Sequence, residues 1–223
     1  RDRVSLHTSG RELRRLLRAV LAHAGTDNQL PALQVVLFDV DGDQAYVVAT
    51  DRFTLGVARA TVEPNGPRVR FTVGVNAADL ATIVRTIRDI DRHVVVDVAT
   101  AGVEITRGGI RYSLPSVDVG YPNWRDLLAR LIRKPAPDLL EAVGVDPRML
   151  ARFHTTGRRA THEPLVIRCY GSGTAVIVTC GEWFLGAVMP VRLADAPKGD
   201  TQRYGHWHAT LPAPRSPRTP KAA

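Results

Sequence analysis

Ala49-Thr50-Asp51-Arg52-Phe53-Thr54-Leu55-Gly56 is a short polar crossing between two apolar runs, with an aromatic and an aliphatic side chain at its tip. Upstream lies Asp43-Gln44-Ala45-Tyr46-Val47-Val48-Ala49-Thr50 and downstream Thr54 to Val62, both rich in the β-branched and aromatic residues that suit a pleated surface. The stretch therefore reads as two strands and their connection. It pairs no nucleophile with a base, so two readings remain: an ordinary hairpin loop, or one wall of a recognition pocket.

Working outward, Ser9-Gly10-Arg11-Glu12 is a capping box that opens a helix, with Leu13, Leu16, Leu17, Val20 and Leu21 recurring at helical spacing. After Gly25 come Leu33 to Val40, the Asp41-Gly42 turn, and the two strands around the opening stretch. Asn76 caps a second helix carrying Leu80, Ile83, Val84 and Ile87, again followed by three strands, His93–Ala99, Gly102–Thr106 and Ile110–Leu114. Asp146-Pro147 opens a third, followed by Pro164–Cys169, Thr174–Cys180 and Trp183–Val191. A strand precedes each helix: Val4–His7, Val69–Val75 and Leu139–Val145.

The three caps lie 67 and 70 residues apart, so one strand-helix-three-strand unit occurs three times. One helix cannot cover a four-stranded sheet, and units are expected to pair with helices on one face and antiparallel sheets on the other, an α+β architecture. The divisions are residues 1–120, two units in one domain; 121–138, a linker with a short helix from Asn123; 139–193, a third unit; and 194–223, a flexible basic tail holding five of the 15 prolines.

With 44% apolar residues the chain can bury a sizeable core, and its net charge of +8 favours an acidic partner, nucleic acid foremost. No run is apolar enough to span a bilayer and no signal peptide is visible, so the expectation is a cytoplasmic protein with no membrane partner. Cys169 and Cys180 match no metal or redox spacing, and neither metal nor cofactor is expected. Each helix sets a basic face against its apolar one. Arg11, Arg14, Arg15, Arg18, Arg85, Arg88, Arg148 and Arg152 would together form a surface for sequence-independent contact with the phosphates of duplex DNA.

Three local segments together resemble the bacterial sliding clamp, the β processivity subunit of the replicative DNA polymerase III. Val48-Ala49-Thr50-Asp51-Arg52-Phe53-Thr54-Leu55-Gly56 is similar to the family's Ala-Thr-Asp-Gly-His-Arg-Leu-Ala loop, Tyr121-Pro122-Asn123-Trp124-Arg125 to its Phe-Pro-Asp-Tyr-Arg linker, and Val188-Met189-Pro190-Val191-Arg192-Leu193 to its terminal Met-Pro-Met-Arg-Leu. The resemblance spans roughly residues 4–193. It implies the DNA-clamp fold, no catalysis, and a homo-oligomeric ring that encircles DNA with its helices inward, with a clamp loader among its partners. It also implies a hydrophobic pocket for a short peptide from polymerases and other clamp users, formed here by Thr50, Phe53, Leu55, Pro122, Leu127, Met189 and Val191, with Arg192 at its edge. The sequence departs from the family where Arg52 replaces a glycine, Phe53 a histidine, and Asp126 a commonly basic residue.

Two other classes compete. A clamp-like module could bind the same peptides without forming a ring, as an adaptor or competitor. Val35-Val36-Leu37-Phe38-Asp39-Val40-Asp41-Gly42-Asp43 resembles the nucleophile motif of haloacid-dehalogenase phosphatases. The hairpin that follows it, where that fold needs a loop and helix, favours Asp-Gly as a simple turn.

Overall fold

Three short side chains start the helices. Ser9 Oγ accepts the amide of Glu12 at 3.2 Å, Asn76 Oδ1 accepts those of Ala78 and Asp79 at 2.9 and 3.1 Å, and Asp146 Oδ1 accepts that of Arg148 at 2.8 Å. The computed structural model describes residues 3–64, 69–132, 143–156, 163–170 and 174–191. The first unit comprises β1 (Arg3–Thr8), α1 (Gly10–Leu21), β2 (Val35–Asp41), β3 (Gln44–Thr50) and β4 (Thr54–Thr61), with a two-residue β5 (Glu63–Pro64) after it. The second comprises β6 (Arg70–Asn76), α2 (Ala77–Thr86), β7 (Val94–Ala99), β8 (Gly102–Arg107) and β9 (Ile110–Pro115). After the linker helix α3 (Trp124–Ile132) come α4 (Pro147–Ala151), β10 (Leu165–Arg168), β11 (Val176–Cys180) and β12 (Phe184–Val188).

Several boundaries differ from the sequence reading. Pro31–Gln34 forms a 3-10 turn where the sequence suggests a strand from Leu33. α2 ends at Thr86, and Ile87 turns extended to bury its side chain, so Arg88 stands beyond the helix. α4 has five residues and passes into a 3-10 turn at Arg152. The tail from residue 194, Arg192, and most of the expected 139–145 strand lie outside the described residues.

The units do not each own a sheet. A five-stranded sheet runs β5-β1-β7-β8-β9 and a seven-stranded one β10-β11-β12-β4-β3-β2-β6, with every pairing antiparallel. The first two units have exchanged first strands: β1 lies on β7, and β6 lies on β2. The third unit extends the first, through β12 on β4.

One core joins both sheets to the helices. Leu13, Leu16, Leu17 and Val20 of α1 and Leu80 and Val84 of α2 pack with Val36, Phe38 and Val40 of β2 and with Val94, Val96 and Ile105 of the other sheet. The far face of the seven-stranded sheet is also covered, because Trp124 and Leu128 of α3 pack with Leu37, Val48, Leu55, Val57, Ile177 and Ala187. β2 is thus buried on both faces, which explains the apolar run Val35–Phe38 and leaves Asp39 as a buried carboxylate within the strand. Among the described residues no helix is long and apolar enough to cross a membrane.

At the centre of the β4–β12 pairing Gly56 stands opposite Gly186. The absent side chains leave room for two rings, His23 after α1 and Phe153 after α4, whose centroids are 4.6 Å apart.

Candidate peptide pocket and nucleic-acid interface

The crossing between β3 and β4 is a built loop. Asp51 Oδ1 accepts the amides of Phe53 and Thr54 at 3.1 and 2.8 Å and the Thr54 hydroxyl at 3.0 Å, while Thr50 Oγ1 accepts the Arg52 amide at 3.2 Å and donates to the Thr54 carbonyl at 2.7 Å. This network holds Arg52 at φ 79°, a left-handed conformation that costs a non-glycine residue about 1 kcal/mol or more. The conformation accounts for the glycine that the clamp loop carries there.

The other oxygen of Asp51 faces the third unit. Arg152 Nη1 donates to it at 2.5 Å and to Thr54 Oγ1 at 2.9 Å. Burial pushes the Asp51 carboxyl up, but hydrogen bonds from Thr54 and Arg152 outweigh it and leave its pKa below the ordinary value. Met189 then donates its amide to the Phe53 carbonyl at 2.8 Å, one residue past the end of the β12–β4 ladder. The loop tip is therefore fastened to the third unit on two sides.

Of the expected pocket residues, Thr50 and Leu55 are buried, whereas Phe53, Leu127, Met189 and Val191 are 45–53% exposed. Leu55 belongs to the cluster under α3, and Leu127 sits on that helix beside Leu128, a member of the same cluster. Phe53 and Met189 are joined by the backbone bond just described. Pro122 instead lines a cavity of about 620 Å³ with Arg70, Thr72, Gly74 and Val117, on the β6 side of the linker.

α3 is anchored by the carboxylate singled out as a phosphatase nucleophile. Asp39 Oδ2 accepts Trp124 Nε1 at 3.0 Å and Arg125 Nε at 2.8 Å, and the guanidinium of Arg125 lies 4.5 Å from the Tyr46 ring centroid. Asp41 ends β2 in a two-residue hairpin whose Gly42 has φ 67°, so the motif is a turn and the phosphatase reading falls. The Tyr121 hydroxyl donates to the Val48 carbonyl at 3.1 Å, and burial pushes its pKa above the ordinary value.

The eight arginines do not form one uniform surface. Arg14 pairs with Asp89 and Arg15 with Glu12, both at 2.7 Å, Arg148 pairs with Asp146 at 3.0 Å, and Arg152 is taken up by Asp51. Arg15 also lies 4.1 Å from the Trp183 ring centroid. Arg11, Arg18, Arg85 and Arg88 are exposed, but Glu12, Asp79 and Asp89 are exposed among them. Acidic side chains thus interleave with the basic ones on the helix faces expected to be basic. Arg152 leaves the phosphate-facing set altogether, for it is a structural partner of the loop.

The sequence reading missed the roles of Arg152 and His23. His23 is fully buried with both ring nitrogens unpartnered, and burial, with the Arg152 charge nearby, lowers its pKa to about 3. A readable signal existed only for Asp39, a lone carboxylate within an apolar strand, which needs donors when buried.

This arrangement of helices backed by antiparallel sheets is that of the sliding clamps. The DNA polymerase sliding clamp of Pseudomonas aeruginosa superposes with TM-score 0.65 at 16% identity, over 85% of this chain and 67% of that one. The DNA polymerase III β subunit of Thermotoga maritima gives 0.64 at 14%, over 86% and 66%, and the clamp of Bacillus subtilis 0.63 at 13%, over 84% and 64%. These likenesses show the fold, and the chain spans about two thirds of the length of the proteins it matches. The family model for the central domain of the DNA polymerase III β subunit matches residues 7–123, more than half of the chain. The chain belongs to the DNA polymerase III β subunit family, whose members are non-enzymatic processivity factors.

Proposed function

We propose that this chain is a sliding-clamp-like tether, which holds a polymerase or another partner at duplex DNA through a short peptide docked beside the Thr50–Leu55 loop. The observation that carries the reading is the bond from the Met189 amide to the Phe53 carbonyl, which sets two exposed apolar residues side by side on a loop fastened by Asp51 and Arg152. A rim of apolar groups on a rigid frame suits a linear peptide, since little ordering cost falls on the receptor. Leu127, Val191, Pro122 and Arg192 stay with it as expectations from the resemblance.

DNA would be held by enclosure in a ring of copies, helices inward, with Arg11, Arg18, Arg85 and Arg88 making screened phosphate contacts that read no base. A clamp loader would then be a further partner, and the working divisions remain 1–120, 121–138, 139–193 and 194–223. One observation favours the second reading, an adaptor or competitor that binds the peptides without enclosing DNA: half of the eight arginines are already paired with carboxylates.

Met189→Asp should abolish binding of a polymerase-derived clamp-binding peptide, read by fluorescence polarisation, while circular dichroism stays native. Undiminished binding would refute the pocket. Retention of the wild-type chain on circular duplex, with release on linearisation, would select the ring over the adaptor.

A further inference from the structure

The exchange between the first two units follows a rule. The strand before each helix lies antiparallel on the first strand after the helix of the other unit, with the helix cap near the start of that strand. Thus Asn76 stands opposite Val35, and Thr8, just before the cap Ser9, opposite Val94. Each such strand also touches the end of its own unit, as Val4 does Pro64.

Among the described residues the third unit shows the second contact and not the first. Gly144, just before the cap Asp146, bridges Val191 after β12, as Val4 meets Pro64 after β4. β10 holds the position of β2 and β7, yet it ends the seven-stranded sheet, and no described residue pairs with its outer edge. Side-chain burial reflects this. β2 buries six of its seven residues, β10 none of four, with Val166 and Ile167 41% and 50% exposed. α1 buries six residues and α2 three, whereas α4 buries none and leaves Leu150 39% exposed.

We propose that this face docks a second copy of the chain, two third units exchanging first strands as the first two units do. Val143–Val145 of each copy would lie antiparallel on β10 of the other, bringing Val145 near Val166, with the two α4 helices side by side as α1 and α2 are. A second copy is the fitting occupant because the mate must offer both a first strand and an open edge of this geometry. A twofold axis supplies both from one surface. Of the cations on this face, Arg148 and Arg152 are each paired with a carboxylate of their own chain, and Arg168 stands at the far end of β10 from Val166. Leu165, Val166 and Ile167 form an apolar edge without a lysine or proline, charged only at its end by Arg168, and such an edge can pair.

The test is the solution mass of the full 223-residue chain by light scattering over rising concentration, for wild type, Ile167→Lys and Leu150→Glu. The wild type should reach at least twice the 24.4 kDa of one chain, and each variant should self-associate about tenfold or more weakly, with unchanged circular dichroism and peptide affinity. Both substitutions fall on exposed side chains, so the fold should tolerate them. A wild type that stays at single-chain mass at every concentration, or two variants that associate as the wild type does, would overturn the proposal. Neither result would touch the peptide pocket, which Met189→Asp tests separately.

Discussion

His23 lies directly against Gly56: a β-carbon built on Gly56 would stand 2.3 Å from His23 Cδ2 and 3.0 Å from its Nε2. On the facing strand, a β-carbon on Gly186 would stand 2.5 Å from Phe153 Cε1. Gly56→Ala should therefore destabilise the fold by about 2 kcal/mol through overpacking, measured by urea denaturation. In His23→Ala the same glycine substitution should cost much less, and full additivity would mean that the ring is not what occupies the gap.

The same histidine makes stability depend on pH. The unfolded chain gains a proton on His23 near pH 6.5, whereas the folded one does so only near pH 3. Between those values the unfolded state binds more protons, so stability should fall as the pH drops, by up to about 1.4 kcal/mol per pH unit. His23→Leu should flatten this limb, while acid-labile pairs such as Arg3–Asp97 remain in both proteins. Parallel melting-temperature profiles of the two proteins from pH 7 to pH 4 would exclude the effect.

Arg152→Ala should release the pocket loop. It leaves the partly buried Asp51 without its cation, a loss of about 1–3 kcal/mol, and frees the Phe53 and Thr54 amides to exchange with solvent. Peptide affinity should fall with it, whereas the salt dependence of DNA binding should stay as in the wild type. A change in the DNA salt slope would return Arg152 to the phosphate-facing set.

Asp39→Ala should detach α3 by removing the acceptor for Trp124 and Arg125, at a cost of about 2 kcal/mol. The fluorescence of Trp124 should shift to the red, read against a Trp183→Phe, Trp207→Phe background that leaves it the only tryptophan of the three. An unchanged spectrum would show that apolar packing alone seats the helix.

Among the helix arginines, combined alanine substitution of Arg11, Arg18 and Arg85 should weaken DNA binding and lower the slope of log affinity against log salt by about one for each phosphate no longer neutralised. Arg14→Ala with Arg15→Ala should alter the slope little, since both guanidinium groups already serve carboxylates.

The repeat was legible because caps and apolar spacing are local: Ser9, Asn76 and Asp146 announce their helices whatever surrounds them. The pairing of strands was not, because nothing in Val4–His7 says whether it returns to its own unit or crosses to the next. Within the site, the loop was legible through its Thr-Asp pattern. The destination of Arg152 was hidden because helical spacing assigns it to a face, while Asp51, the charge that captures it, is 101 residues away.

The strand exchange makes the repeat a unit of sequence and not of folding. As the chain leaves the ribosome, β1 has its hairpin-side neighbour only once β7 emerges, and β4 keeps an open edge until β12, near the end of the described body, is made. Assembly must wait for distant partners, which slows it and leaves sheet edges bare in the meantime. A cut in the 65–68 connection, with the halves then separated, would part β5 and β1 from β7–β9 in one sheet and β2–β4 from β6 and β10–β12 in the other. Neither half should survive alone, although each contains a full copy of the repeat.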